Sequence, residues 1–93
     1  MEEIKLETND NKGQFSIFID GKQQGLMTFV FAGKEKIIID HTEVFPGNEG
    51  KGLGKKLVAK AVETARAKNW KVIPLCPFAK KVIEKTPEFQ DVL

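Results

Sequence analysis

The chain has 93 residues, of which 41% are hydrophobic and 30% charged, and its formal net charge is +2. This size predicts one domain over residues 1–93, and the composition is that of an ordinary globular protein. No apolar run reaches the length of a membrane span, and the charged start Met1-Glu2-Glu3 does not resemble a signal peptide, so we expect a cytoplasmic protein. A single cysteine excludes an internal disulfide, and one cysteine with one histidine is too little for a soft-metal site.

The first half of the chain shows the alternation that is typical of β-strands. Apolar and polar residues alternate over residues 4–6 and again over residues 14–20, where Asp20-Gly21 indicates a hairpin turn. Residues 24–32 are apolar on both sides, which predicts a strand that is covered on both faces. A fourth strand follows over residues 36–44. Because the connections are short, the four strands are expected to form an antiparallel meander.

The second half changes to a helical period. Apolar residues recur every three or four positions through residues 51–68 and predict an amphipathic helix. Gly54 lies at the centre of the apolar stripe, where a missing side chain would let the helix approach the sheet. Residues 70–75 are typical of a strand, which would make the last two strands a parallel pair joined by a crossover helix. Residues 77–85 begin with proline and predict a short helix, with Cys76 as its cap.

The connection between the fourth strand and the long helix is rich in glycine. Four glycines fall within eight residues, in the stretch Gly47-Asn48-Glu49-Gly50-Lys51-Gly52-Leu53-Gly54. Glycine lets a backbone close on a bound group, and the first N–H groups of a helix have no partner inside it. The spacing fits neither the nucleoside-triphosphate loop nor the dinucleotide fingerprint. It predicts a cradle for a pyrophosphate, with a turn that binds nothing as the alternative.

Charge is distributed unevenly around this loop. Residues 1–49 contain 5 lysines against 9 acids, whereas residues 50–93 contain 9 lysines and Arg66 against 4 acids. The basic half therefore begins at the loop, which favours an anionic ligand. Nucleic acid is an unlikely partner because nearly all the cations are lysines and no aromatic residues alternate with them. A solvated lysine face is the alternative for most of these charges.

The order of elements and two motifs resemble the GNAT superfamily of acyl-CoA N-acyltransferases. Glu49–Gly54 occupies the register of that family's loop, Q/R-x-x-G-x-G/A, and Cys76–Lys85 fits its segment N-x-x-A-x-x-x-Y-E-K. Asp40-His41-Thr42, the Cys76 segment and the short length are similar to small single-domain members. The resemblance implies a minimal α/β (α+β) fold, with an antiparallel meander, one parallel crossover strand, one long helix and one short helix. The two N-terminal helices usual in the family are missing.

The resemblance also implies which residues bind acetyl-CoA. In the family, the pyrophosphate lies on backbone N–H groups of the loop, and the pantetheine arm hydrogen-bonds to strand backbone where two parallel strands splay apart. The acetyl carbonyl is polarised at that strand. No metal is implied. Carried onto this chain, the co-substrate contacts are Glu43, Val44, Phe45, Glu49, Gly50, Lys51, Gly52, Leu53, Gly54, Lys55, Lys56 and Cys76.

Three departures from the family pattern change what is expected. Glu49 replaces the usual Gln or Arg of the loop, which places a carboxylate near phosphate and predicts weaker binding rather than none. Ile83 occupies the position of the tyrosine that commonly protonates the departing thiolate, and the chain contains no tyrosine. Without the N-terminal helices, the acceptor side is expected to be open and shallow.

Three residues are candidates for the chemistry. Cys76, at a predicted helix N-terminus where the thiolate is favoured, is a candidate proton donor to CoA or acyl-accepting nucleophile. The alternative is a cysteine that only packs. His41 and Glu43 lie two apart on a strand and share one face, so either is a candidate general base for the attacking amine. The alternatives are a structural histidine and a solvated glutamate.

The sequence therefore predicts an N-acetyltransferase that transfers acetyl from acetyl-CoA to a primary amine by direct attack. The acceptor is a small molecule or an amine of a protein or peptide. The second hypothesis is a CoA-binding module with little catalysis that acts through a protein partner on its open face.

Overall fold

The computed structural model describes residues 1–48 and 50–93. Five strands form one sheet in the order β1-β2-β3-β4-β5. The strands are β1 Glu2–Thr8, β2 Lys12–Ile19, β3 Lys22–Phe31, β4 Lys36–Val44 and β5 Lys71–Pro74; the helices are α1 Leu53–Lys68, α2 Pro77–Lys85 and a 3₁₀ helix over Pro87–Val92. The α+β architecture predicted from the sequence is confirmed. Among the helices described, none is long and apolar enough to cross a membrane.

The sheet is an antiparallel meander with one parallel strand at its edge. β1 to β4 pair antiparallel with their neighbours in sequence, and β4 pairs parallel with β5. The hairpin between β2 and β3 turns at Asp20 and Gly21, whose φ angles of 49° and 85° suit the tight turns that match strand twist. Helix α1 connects β4 to β5, as a parallel pair requires.

The core lies on one face of the sheet. The side chains on this face are fully buried in the strands that α1 covers: Phe15, Ile17, Met27, Phe29, Ile37 and Ile39. The predicted apolar stripe of α1 packs against them with Leu57, Val58, Ala61, Val62 and Ala65. This face of the sheet and this stripe of the helix therefore bury each other, which is the main hydrophobic contribution to stability.

The opposite face, which we call the open face, has no helix over it in the part of the chain that the structure describes. Leu26, Thr28 and Val30 of β3 lie on this face and are half-buried, whereas Met27 and Phe29 between them are fully buried. The prediction that residues 24–32 are covered on both faces is therefore wrong. Neighbouring side chains shield the apolar residues of the open face in part, and no second layer covers them.

A β-bulge divides β4. Thr28 of β3 is opposite His41, and the next residue, Phe29, is opposite Ile39, so Asp40 is an extra residue in β4. The Thr28 hydroxyl donates a hydrogen bond to Asp40 Oδ1 at 2.5 Å. The bulge lies directly after the segment in which β4 pairs with β5. It therefore marks the point at which β4 leaves its parallel neighbour.

The sequence pattern did not predict the 3₁₀ helix that closes the chain. Arg66 of α1 holds it through an ion pair with Asp91, whose oxygens lie 2.7 and 2.9 Å from the guanidinium nitrogens, and through a hydrogen bond to the Glu88 carbonyl. The hydrogen bond from Arg66 lowers the pKa of Asp91 below its usual value. The C-terminal segment is thereby attached to the last turn of α1, at the opposite end of this helix from the glycine loop.

Candidate functional site

β4 and β5 separate after Ile39. The Ile39 carbonyl accepts the N–H groups of Leu75 at 3.0 Å and Cys76 at 2.9 Å, and the pairing of the two strands ends there. β4 continues to Val44 beside β3 alone. Phe45 N–H donates to the Gln24 carbonyl in β3 at 2.8 Å, and backbone groups alternate in direction along a strand. The N–H and C=O of Val44 therefore point into the gap between β4 and α2, where an extended ligand can bind them.

A cleft of about 470 Å³ lies at the end of this gap. Its walls come from the end of β4, the glycine loop, the first turn of α1 and the first two turns of α2: Val44, Phe45, Asn48, Gly50, Gly52, Leu53, Gly54, Lys55, Phe78 and Val82. Seven of the twelve predicted co-substrate residues, Lys55 among them, thus line one cleft. An apolar channel that ends at a polar loop suits a ligand with an extended arm and a charged head.

The backbone of the glycine loop is shaped for an anion. Gly47, Gly50 and Gly52 have φ angles of 92°, 80° and 69°, the left-handed region that glycine adopts most easily. Gly52 is the N-cap of α1, and a glycine has no side chain with which to cap the helix. A Cβ added to Gly50 or Gly52 would meet no atom within 4 Å, so the space beside them is open. The first N–H groups of α1, at Leu53–Lys55, lack intrahelical partners and are available to phosphate oxygens.

The lysines around the loop have different surroundings. Lys55 lines the cleft. Lys51 donates from Nζ to Asn48 Oδ1 at 3.3 Å, and Lys56 donates from Nζ to Glu2 Oε2 in β1 at 2.5 Å. Of the two lysines expected near the phosphates, the structure therefore places Lys55 at the cleft and Lys56 beside the first strand. Glu49, the predicted unfavourable neighbour of the phosphates, lies outside the described residues, and its role stays a prediction.

Phe78 forms the wall of the cleft opposite the loop. Its ring lies against Gly54, where an added Cβ would be 2.6 Å from the ring atom Cζ. The sequence predicted that Gly54 allows a close approach to the sheet, but the group that fills the space is this ring from α2. Phe78 remains 44% exposed. It therefore supplies an apolar surface that faces the cleft.

Cys76 lies on the helix-covered side of the gap, at the N-cap of α2. It is only 6% exposed, so its thiol is largely shielded from solvent. Its Sγ lies 3.5 Å from Thr42 Oγ1, within hydrogen-bond distance. Burial opposes the thiolate and is the largest single influence on it. The N–H group of Ala79, the Thr42 hydroxyl and the N–H groups of Phe78 and Thr42 together outweigh burial, and the pKa of Cys76 is lowered from 9.0.

The Cys76 side chain makes no capping hydrogen bond of standard geometry with the first turn of α2. The N–H of Thr42 also points from β4 toward α2, which agrees with the direction inferred for Val44. Cys76 and Thr42 therefore lie together beside the gap, on the side that the helices cover.

His41 and Glu43 lie on the open face, as their pairing with Thr28 and Leu26 of β3 requires. His41 Nε2 is 3.4 Å from Glu43 Oε1, which confirms the prediction that the two side chains share a face. They are 58% and 52% exposed. The β4 backbone thus separates His41 and Glu43 from Cys76, so the three candidate catalytic residues flank the gap from its two sides.

One cleft residue had no sequence signal that identified it. Asn48 is 5% exposed and hydrogen-bonds to Gln24, Phe45 and Lys51. In the sequence it is one polar residue in a polar turn, where a solvated side chain is the usual expectation. Its burial depends on Gln24, which lies 24 residues earlier in the chain.

Comparisons with known proteins agree with this geometry. A family model described as GCN5-related N-acetyl-transferase matches residues 14–92. A GCN5-like protein from Staphylococcus aureus, solved by NMR, is 37% identical, covers 95% of this chain and 85% of its own, and has a TM-score of 0.72. A GNAT family acetyltransferase from Elizabethkingia anophelis, solved with acetyl-CoA bound, shares the fold at 11% identity and a TM-score of 0.71, over 90% of this chain and 72% of that one. Protein NATD1 of Xenopus tropicalis is 25% identical over 85 residues, which are 90% of this chain and 78% of that protein.

Proposed function

Because the chain belongs to the GCN5-related N-acetyltransferases, we propose that it transfers the acetyl group of acetyl-CoA to a primary amine. One observation carries the proposal. The free edge of β4 leads directly into the cleft formed by the glycine loop and the first turn of α1. The same cleft therefore offers a backbone edge for an extended arm and N–H donors for a pyrophosphate.

The residues present suit acetyl-CoA as the co-substrate. The pyrophosphate would lie on the N–H groups of Leu53–Lys55, where the helix dipole and the Lys55 ammonium favour negative charge. The open space beside Gly50 and Gly52 lets a phosphate approach the backbone. The pantetheine arm would follow the Val44 edge and pack on Phe78. This arrangement brings the thioester toward Thr42 and Cys76.

The chemistry is direct attack by the amine. The nitrogen lone pair forms a bond to the carbonyl carbon, the carbonyl electrons move to oxygen, and their return breaks the carbon–sulfur bond to release CoA thiolate. Backbone N–H donors in the gap stabilise the oxyanion. His41 or Glu43 accepts the proton that the amine loses, directly or through water. The Cys76 thiol is placed to give its proton to the CoA thiolate, a role that needs no tyrosine.

The acceptor would approach from the open face, which carries His41 and Glu43. A shallow hollow of about 400 Å³ lies on this face, with Glu7, Gln14, Thr28 and Asp40 in its lining. The carboxylates of Glu7 and Asp40 outnumber the ammonium of Lys12 in the same lining and would attract a cationic amine. Such a hollow would suit the open and shallow acceptor side that the sequence leads us to expect.

The second candidate function is a CoA-binding module with little catalysis. The observation that favours it is the low exposure of Cys76 together with a fully buried Ile83 at the position of the family's tyrosine. In this case, the cleft binds CoA while the open face binds a protein partner. Both candidates require the cleft, and they differ in whether the thioester is consumed.

The test has two measurements on the whole chain. Calorimetry with CoA and acetyl-CoA should show one site, and incubation of acetyl-CoA with diamines, aminoglycosides and lysine peptides should release free thiol above the rate without protein. Binding with no thiol release from any amine would favour the CoA-binding module. Absence of binding would contradict both candidates.

A further inference from the structure

Three polar side chains connect β3 to the glycine loop. Gln24 Oε1 accepts a hydrogen bond from Asn48 Nδ2 at 2.8 Å, and Asn48 Oδ1 accepts one from Lys51 Nζ at 3.3 Å. Asn48 Nδ2 also donates to the Phe45 carbonyl at 2.9 Å. Both the donor and the acceptor groups of the Asn48 side chain are therefore in use. Because Asn48 is 5% exposed, loss of a partner would leave a buried polar group unsatisfied.

Gln24 holds the loop from outside the cleft. Its side chain accepts from Asn48, and its backbone carbonyl accepts the Phe45 N–H at 2.8 Å. It thus fixes both the end of β4 and the first part of the loop. Gln24 is absent from the cleft lining, whereas Asn48 is part of it. An effect of Gln24 on ligand binding would therefore pass through Asn48.

The loop needs such a support because of its composition. Gly47, Gly50 and Gly52 all adopt left-handed conformations, and glycine has more conformational freedom to lose than any other residue. If the loop were ordered only on binding, the loss of this conformational freedom would make binding weaker. A buried hydrogen-bonded amide near its start orders the loop during folding instead. Lys51 is oriented by the same amide, through its ammonium and through a backbone bond from Lys51 N–H to the Asn48 carbonyl at 3.3 Å.

We infer that Gln24 and Asn48 are positioning residues that preorganise the glycine loop for the pyrophosphate of CoA. The inference rests on the proposed function, because it assigns the pyrophosphate to this loop. Gln24 has no contact with the ligand in this arrangement. It raises affinity by holding Asn48, and Asn48 holds the backbone whose N–H groups bind the phosphates.

The central variant is Gln24→Met, which keeps the length of the side chain and removes the acceptor for Asn48. Calorimetry should show the Kd for CoA raised by about 3- to 10-fold, the range expected when one buried hydrogen-bond partner is lost. Gln23→Met is the matched control, because Gln23 is the same residue type in the same strand and its side chain donates to the Gly25 carbonyl, at 3.4 Å, not to Asn48. The control should bind CoA as the wild type does.

Two further measurements separate positioning from a general loss of structure. Pantetheine lacks the pyrophosphate, so its affinity, followed by NMR titration, should be the same in Gln24→Met and the wild type. In the ligand-free protein, amide exchange at Gly50–Gly52 should be faster in Gln24→Met while exchange in the core of α1 is unchanged. Weaker binding of both ligands to the same extent would overturn the positioning role.

A double-mutant cycle tests whether Gln24 acts on ligand binding through Asn48. In an Asn48→Ala background, Gln24→Met should add less than about 2-fold to the Kd for CoA, since the two residues act as one unit. Additive effects, or an unchanged Kd in Gln24→Met beside a measurable wild-type Kd, would overturn this inference alone. Absence of CoA binding by the wild type would overturn the proposed function and this inference together.

Discussion

The two halves of β4 differ in their neighbours and in their exposure. Lys36–Ile39 pairs with β3 on one side and β5 on the other, and Ile37 and Ile39 are fully buried. Asp40–Val44 pairs with β3 alone, and His41 and Glu43 are more than half exposed. One strand therefore contributes to the core with its first half and to the candidate site with its second. The residues that stabilise the core and those expected to bind the ligand are therefore only a few positions apart in the sequence.

The separation has two physical causes. The Ile39 carbonyl accepts N–H groups from both Leu75 and Cys76, which ends the parallel ladder and starts α2 in a new direction. The bulge at Asp40 then changes which side chains face the open side. The second half of β4 thus has a free backbone edge that a ligand can bind, while the core residues beside it remain buried. The comparison predicts that substitutions in the two halves affect different measurements.

The largest expected effect on stability is that of Ile39→Ala. Ile39 is fully buried, so the substitution removes apolar contacts and leaves a cavity, with a cost of about 2–5 kcal/mol in the free energy of unfolding. Urea denaturation measures this cost. If Ile39→Ala destabilised the protein no more than a substitution at exposed His41, the first half of β4 would not contribute to the stability of the core.

A smaller cost is expected for Gly52→Val, because a side chain with a branched Cβ at a φ of 69° is strained by about 1–2 kcal/mol. Its main effect should be on binding, since the new side chain fills the space beside the helix N-terminus. Calorimetry should show an increase in the Kd for CoA of about 10-fold or more, the scale of losing one or two good contacts.

Gly33→Val is the matched control for this variant. Gly33 also has a positive φ, of 82°, with open space around its Cβ position, but it lies in the turn between β3 and β4. It should lose similar stability and bind CoA normally. A folded Gly52→Val protein with wild-type affinity for CoA would mean that the pyrophosphate binds elsewhere.

Cys76→Ala should cost about 1 kcal/mol, because one small buried group is removed. Its effect on any acetyl transfer should be larger, about 10-fold in rate, as for the loss of an acid–base group. CoA affinity should change by less than a few-fold. Full transfer activity in Cys76→Ala would return this residue to a packing role and make His41 or water the proton carrier.

The ionisation of Cys76 gives this prediction a pH dependence. Since the pKa is lower in the folded protein than its ordinary value of 9.0, the thiolate stabilises the fold, fully above pH 9.0 and less as pH falls through the folded pKa. The advantage of the wild type over Cys76→Ala should therefore grow as pH rises toward 9.0. Alkylation by iodoacetamide should have its midpoint below pH 9.0, and bound CoA should slow it. A midpoint at or above 9.0 would contradict the role of the surrounding N–H groups.

Much of the fold followed from local sequence. The limits of β4 and α2 were predicted as the structure has them, because alternation and the proline at the start of α2 are local signals. The glycine loop was also recognisable from spacing alone. Which face of β3 is buried was not, because Leu26 and Met27 are both apolar and only the position of the helices distinguishes them. The contacts of Gly54 with Phe78 and of Asn48 with Gln24 join distant parts of the chain, and no local pattern reports them.

The smallest effect on stability is expected for His41→Ala, in the exposed half of β4. An exposed side chain that lies 3.4 Å from Glu43 and packs into no core should change the free energy of unfolding by less than about 0.5 kcal/mol. If His41 accepts the proton of the amine, its loss should lower the transfer rate by about 10- to 100-fold, with little change in the Kd for CoA.

Lys36→Ala is the matched control, since Lys36 is an exposed residue in the half of the same strand that also pairs with β5. It should affect neither measurement. Rate loss at His41 without a loss of stability would place the chemistry in the second half of β4, which pairs with β3 but not with β5. An equal rate in His41→Ala would transfer the role of base to Glu43 or to water, which Glu43→Gln then separates, because that change removes the negative charge and keeps the shape of the side chain.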